Sequence, residues 1–282
     1  TACASDTSGN IFGFCEKGPA NYHIIGGDGF KALMVSLIDQ FCFEKGLERN
    51  KLKIISLGLA GVDRPADRET VLALLGSLGL GCELIVNNDA AIALTGGLGE
   101  ARGIVLIAGT GSIAYGINDG GQVIRAGGWG HLVSDEGSGY AIGREGLRRA
   151  LKAMEDRDKP TVLLAKIMEY LSVDGIDELI GFIYQPQTGK AAIAALTKVV
   201  AEAAAKGDAV AGEILSEAAA DLAVLVESVI DRGFADARKV KVCAFGGVIN
   251  NVYGLRQLVA NKLAGKASVV LSARPPVIGA LQ

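Results

Sequence analysis

Residues 103–117 put the first limit on the fold. They read Gly103-Ile104-Val105-Leu106-Ile107-Ala108, then Gly109-Thr110-Gly111-Ser112, then Ile113-Ala114-Tyr115-Gly116-Ile117. An apolar run of strand length enters a turn of small residues and leaves as a second apolar run, so two antiparallel strands are expected with the turn between them. Glycine permits the tight turn and leaves backbone N–H groups free to face an anion, and the Thr110 and Ser112 hydroxyls add two further donors. An ordinary tight turn would use the same residues.

The chain around the turn separates the phosphate-binding patterns. Gly109 to Ala114 matches G-x-G-x-x-A, but the dinucleotide motif needs a helix directly afterwards. Here the chain continues through Asn118-Asp119-Gly120-Gly121, a hairpin signal. A P-loop is excluded too. The Gly-Lys pairs at 189–190 and 265–266 lack both the upstream glycine and the following Ser or Thr.

Elsewhere short β-rich runs alternate with amphipathic helical runs, which points to an α/β fold. Residues 1–5 and 11–16 flank the turn Asp6-Thr7-Ser8-Gly9-Asn10 as a hairpin. Residues 30–45 carry Phe30, Leu33, Met34, Leu37, Ile38 and Phe41 at helical spacing. A strand at 53–59, a helix at 68–78, a strand at 83–86 and a helix from Asp89 follow. After residue 103 the order recurs, with a helical insertion at about 141–235. Then come a strand at 240–245, a helix at 250–263 and a last strand at 267–271. Two domains of related topology are expected, 1–102 and 103–282, with a cleft between them as the ligand site.

Composition narrows the partners. Half of the 282 residues are apolar, net charge is −3 and no basic stripe stands out, which argues against nucleic acid. No apolar run reaches the length of a membrane span. The five cysteines are widely spaced and form no C-x-x-C pair, and the only histidines are His23 and His131. Buried inert thiols and a reduced, cytoplasmic setting are therefore expected, without a zinc site.

Three further segments could carry chemistry. Asp89, in Asn87-Asn88-Asp89-Ala90-Ala91, stands where a strand gives way to a helix. It reads either as the helix N-cap or as a carboxylate that takes a proton from a substrate hydroxyl. Trp129, the only tryptophan, lies in Gly127-Gly128-Trp129-Gly130-His131, where a flat aromatic on flexible backbone suits a sugar face. Asp135 follows, available for hydroxyls or as a cap for the helix near Ser138. Gly246-Gly247 ends a strand and could let an adenosine lie against the backbone, or be a plain strand-to-helix turn.

In order, Asn21-Tyr22-His23, Ile25-Gly26, Gly58-Leu59-Ala60-Gly61, Asn88-Asp89-Ala90-Ala91, Gly109-Thr110-Gly111-Ser112, Gly127-Gly128-Trp129-Gly130-His131, Asp135-Glu136-Gly137-Ser138 and Phe245-Gly246-Gly247 cover nearly the whole chain. The series resembles the BadF/BadG/BcrA/BcrD-type ATPases of the actin, Hsp70 and sugar-kinase superfamily. The resemblance implies two duplicated actin-like (ribonuclease H-like) domains and an ATP- and Mg²⁺-dependent kinase acting on an amino sugar such as N-acetylglucosamine. It implies Asp89 as catalytic base and Gly109, Thr110 and Gly111 as the second phosphate loop. Ala194, Gly246 and Gly247 fall near the nucleotide. Asn21, Tyr22, Ser112, Gly128, Trp129, Gly130 and Asp135 fall near the sugar. The family's first strand and first phosphate loop have no match here and are expected upstream of Thr1, which leaves the Mg²⁺ ligands unassigned. Ala60 stands where sugar kinases can carry a hydroxyl residue.

The expected partner is thus a small-molecule sugar, with a homodimer left open. Two other classes compete. One is an ATPase activator of a 2-hydroxyacyl-CoA dehydratase-type radical enzyme, but such proteins hold an iron–sulfur cluster through cysteines after the second phosphate loop. This chain has none between Ser112 and Val242. The other is a nucleotide-dependent regulatory module without turnover.

Overall fold

Asp6 makes the first hairpin. Its Oδ1 accepts from the Ser8 and Asn10 amides at 2.9 Å each. Strands β1 (Ala2–Ser5) and β2 (Ile11–Cys15) therefore return antiparallel across it. The computed structural model describes residues 1–62, 64–185, 187–234, 239–272 and 274–282. They divide into one unit of Thr1–Ala101 with Ala273–Gln282 and a second of Arg102–Ser272.

In the first unit α1 (Tyr22–Lys45) begins well before the periodic run at residue 30. Asn21 caps it, its Oδ1 accepting from the His23 amide at 3.0 Å. The elements β3 (Ile54–Leu59), α2 (Pro65–Gly76), β4 (Glu83–Asn88) and α3 (Asp89–Leu98) follow. β3 and β4 pair in parallel, Leu59 opposite Asn88, so both strands end at the same edge. Phe30 and Met34 of α1, Val71 and Leu75 of α2, and Leu59 and Val86 of the strands share one buried core.

The second unit opens with β5 (Gly103–Ala108) and the hairpin β6 (Ser112–Ile117) and β7 (Val123–Gly127). The helices α4 (Gly139–Met154), α5 (Leu163–Leu171), α6 (Ile176–Tyr184), α7 (Lys190–Ala195), α8 (Thr197–Ala205) and α9 (Ala209–Gly233) come next. The chain then forms β8 (Val240–Phe245), α10 (Gly247–Asn251), α11 (Leu255–Lys262) and β9 (Ala267–Leu271). The expected single helix at 250–263 is two, with Gly254 at positive φ between them. The sheet order is β7-β6-β5-β8-β9, with β5 antiparallel to β6 and parallel to β8. Being central, β5 is apolar at every position after its glycine. Val210, Ile214, Ala218, Leu222 and Val226 recur every fourth residue of α9 and are buried, and α9 packs on β5, β6 and β7.

The second domain was expected to run to Gln282, but the tail belongs to the first unit. After β9, α12 (Pro276–Gly279) packs on α3 so closely that a Cβ on Gly279 would lie 2.0 Å from the Ile92 carbonyl oxygen. Only backbone without a side chain makes that approach, and a four-residue turn carries no sequence period that would announce it.

A partly buried ion network centred on Arg149 ties the helical part together. The Arg149 guanidinium donates to both carboxylate oxygens of Asp158 (2.6 and 2.9 Å) and to Glu213 at 2.9 Å. The guanidinium and the Lys159 amide hold the Asp158 carboxyl down at a pKa of about 2. A depressed carboxylate stabilises the fold above its ordinary pKa and loses that contribution as pH falls toward the folded value. Thermal stability of the wild type should therefore fall as the pH drops from about 4 to about 2. Arg149→Leu should lower the melting temperature at neutral pH and flatten that acid slope. An unchanged slope would show the pair to be inert.

Candidate nucleotide and sugar site

The turn after β5 is pinned from behind. The Gly109 amide donates to Gly111 O at 2.9 Å, and the Gly139 and Tyr140 amides of α4 donate to Gly109 O (2.8 Å) and Thr110 O (3.3 Å). The Thr110 and Gly111 amides take no partner among the described residues, and Thr110 is exposed. Backbone donors held in place and unused are what a phosphate cradle requires. The Ser112 hydroxyl, expected as a further donor to the ligand, is instead spent on Glu136 O at 2.6 Å, and Ser112 is buried. It closes the turn onto the 134–138 loop.

That loop brings in Asp135. Its carboxylate accepts from the Ser112 amide at 3.3 Å and lies against Gly111. Asp135 is 5 % exposed and has φ 67°, a backbone state that costs a non-glycine residue about 1–3 kcal/mol and is found at functional sites. It does not cap α4. Ser138 does, accepting from the Ala141 amide at 3.2 Å.

The second glycine pair arrives from the parallel strand. Ile107 of β5 pairs with Phe245 of β8, which sets Gly246 against Ala108, the residue before the turn. Gly247 starts α10. Ala194 sits on α7, whose Ile193 carbonyl packs on Gly143 of α4. Gly139, at the head of α4, is wedged among Gly109 O, Val248 and Thr197, and Thr197 Oγ1 donates to Gly139 O at 2.8 Å. The heads of α4, α8 and α10 thus converge on one turn.

Trp129 is 67 % exposed. Arg125 lies over one face of its ring at 4.3 Å and donates to Gly127 O and Gly128 O at 3.2 and 3.0 Å. Beside the indole is a hollow of about 340 Å³ bordered by Gly127, Val133, Ser134, Glu136, Asp221 and Val224. Burial, then the Glu136 and Glu217 charges, push the Asp221 carboxyl up. Apolar walls with a few polar groups suit a hydroxylated ring. Gly130 continues the loop, its carbonyl accepting from the Val133 and Ser134 amides.

In the first unit Asn88 takes the cap of α3, its Oδ1 accepting from the Ala91 amide at 2.7 Å. Asp89 is therefore the first helical residue, exposed and at the positive end of α3. Asn21 keeps its Oδ1 on the α1 cap, while its Nδ2 takes no partner among the described residues. The Tyr22 hydroxyl is committed to Asp67 at 2.5 Å.

Asp67, Arg125, Tyr140, Gly139 and Thr197 escaped the sequence reading because they act through contacts far along the chain. Nor are the thiols uniformly buried. Cys42 and Cys243 are, while Cys3, Cys15 and Cys82 are partly exposed, all five free. Burial pushes the thiols of Cys3, Cys15, Cys82 and Cys243 up, away from reactivity. Among the described residues no helix is long and apolar enough to cross a membrane.

The chain is also similar to known proteins. The chain is 40% identical over 236 residues to the N-acetylmuramic acid/N-acetylglucosamine kinase of Clostridium acetobutylicum, covering 84% of this chain and 77% of that one. It is 32% identical over 271 residues to the N-acetyl-D-glucosamine kinase of Dictyostelium discoideum, covering 92% and 85%. A solved structure from Chromobacterium violaceum, named for N-acetylglucosamine kinase, superposes with a TM-score of 0.76 at 22% identity over 98% of this chain and 91% of that one. The fold is that of the actin-like sugar kinases. The model of the BadF/BadG/BcrA/BcrD ATPase family matches residues 1–281, and the chain belongs to that family.

Proposed function

We propose that this protein is an ATP-dependent kinase that transfers the γ-phosphoryl group to a hydroxyl of an amino sugar such as N-acetylglucosamine. The observation that carries it is the Gly109–Gly111 turn, with unused amides in front and the buried Asp135 carboxylate locked against it. The two relatives named for amino-sugar phosphorylation, at 40% and 32% identity, support the choice of acceptor.

In this reading the Thr110 and Gly111 amides and the Thr110 hydroxyl hold phosphate oxygens. Gly246, Gly247 and Ala194 line the nucleotide. Asn21 offers its Nδ2, Trp129 and the adjoining hollow receive the sugar ring, and Gly128, Gly130 and Asp135 orient its hydroxyls. Ser112 and Tyr22 act behind these groups through their own internal bonds. Asp89 accepts the proton of the attacking hydroxyl as the new P–O bond forms and ADP leaves with the electrons of the broken one.

Among the described residues no three His, Cys, Asp or Glu side chains gather as a metal site. A Mg²⁺ would be held mainly by phosphate oxygens and water. When bound, the ion neutralises phosphate charge. An enzyme drawing on ATP fits a cytoplasmic setting. The test is ADP release by the full-length protein with ATP and Mg²⁺, offered N-acetylglucosamine, N-acetylmuramic acid and glucose in turn. Release that depends on an amino sugar is expected, and sugar-independent release would sink the reading.

A further inference from the structure

We infer that Asp67 is a positioning residue for sugar binding, acting through the first turn of α1. The inference rests on the reading of Asn21 as a sugar contact. Asn21 lies on the loop entering α1, where little in the local sequence would hold it still. Its neighbours are tied instead to the first turn of α2. Asp67 Oδ1 accepts the Tyr22 hydroxyl at 2.5 Å and faces His23 Nε2 at 3.1 Å. The same Nε2 lies 3.2 Å from Gly61 O. Carboxylate and carbonyl are both acceptors, so Nε2 must carry hydrogen, and it bridges α2 to the Gly58-Leu59-Ala60-Gly61 segment.

The Tyr22 and His23 rings lie 4.0 Å apart, so the two residues that follow Asn21 move as one block. Asn21 itself closes the ring. Its Oδ1 receives the His23 amide at 3.0 Å, and its side chain lies against Gly61. Asp67 is half-buried at the positively polarised start of α2, and the Tyr22 hydroxyl holds its carboxyl below the usual range. One ionised side chain therefore fixes both residues that set where the Asn21 amide points. Removing it frees the loop without touching the sugar.

The test uses the full-length protein with N-acetylglucosamine and ATP. Asp67→Ala is expected to raise KM for the sugar about tenfold, the worth of one charge-assisted hydrogen bond, while kcat and KM for ATP stay within about twofold. Asp67→Asn keeps an acceptor for Tyr22 and should recover most of the loss. Titration calorimetry with the sugar alone should repeat the order without any phosphoryl transfer. An unchanged sugar KM in Asp67→Ala, or an equal rise for ATP, overturns the proposal. Should Asp67→Ala fail to fold, a threefold or so rise in sugar KM for Asp67→Asn supports the proposal and a wild-type value overturns it. A wild type that uses no amino sugar at all sinks the functional reading itself, which is a different result.

Discussion

Asp89→Asn is expected to cut amino-sugar-dependent ADP formation by about 10²- to 10⁴-fold, the range lost when a positioned general base is removed. The substitution keeps the shape of the side chain and removes its ability to take a proton. The cap of α3 is kept, because Asn88 makes it and not Asp89. The loss should lie in kcat, with KM for ATP little changed, since the phosphate turn belongs to other residues. Steady-state kinetics with a melting curve on the same sample check it. If turnover survives at more than about a tenth of wild type, Asp89 is not the base.

Gly246→Ala should cost the second unit a large part of its stability. At φ 117° an L side chain is strained, and a Cβ there would lie 2.4 Å from Ala108 O and 2.7 Å from its carbonyl carbon. The obstacle is backbone, which cannot rotate aside. Strain and forced displacement together cost about 3–5 kcal/mol. In a unit of this size that lowers the melting temperature by roughly 10 °C. Displacing Ala108 also moves the turn that follows it, so KM for ATP should rise as well. Gly247→Ala is the control, its Cβ meeting only the Asn251 amide nitrogen at 3.9 Å. Equal melting temperatures for the two variants would show that the ends of β5 and β8 do not approach as described.

The contrast between these neighbouring glycines shows where sequence reading stops. Both belong to one strand-ending pair, and nothing local tells them apart. Only the pairing of β8 with β5 turns one of them against a carbonyl. The polar residues at helix starts behave likewise. Asn88 and Asp89 both suit an N-cap, as do Asp135 and Ser138, and backbone geometry picked Asn88 and Ser138. Asp89 is thereby left at the head of α3, and Asp135 is drawn back onto Gly111. Ser112 was expected to offer its hydroxyl outward, and it closes a loop instead. A hydroxyl is as good a donor to a carbonyl as to a phosphate, and sequence does not say which is nearer.

By itself the sequence determined the strands, the hairpins, the turn at Gly109–Ser112, the order of the elements and the family. These follow from apolar period and turn chemistry acting over a few residues, and from motifs that recur in order. Tertiary structure decided what faces the turn, with α4 beneath it, Asp135 against it and Gly246 beside it. Within each unit it also set Arg125 on Trp129 and Asp67 behind Asn21. It also decided that the tail returns to the first unit. Each of these is a contact between residues distant in the chain, settled by close packing and by competition among equivalent polar partners, and neither leaves a period in the sequence.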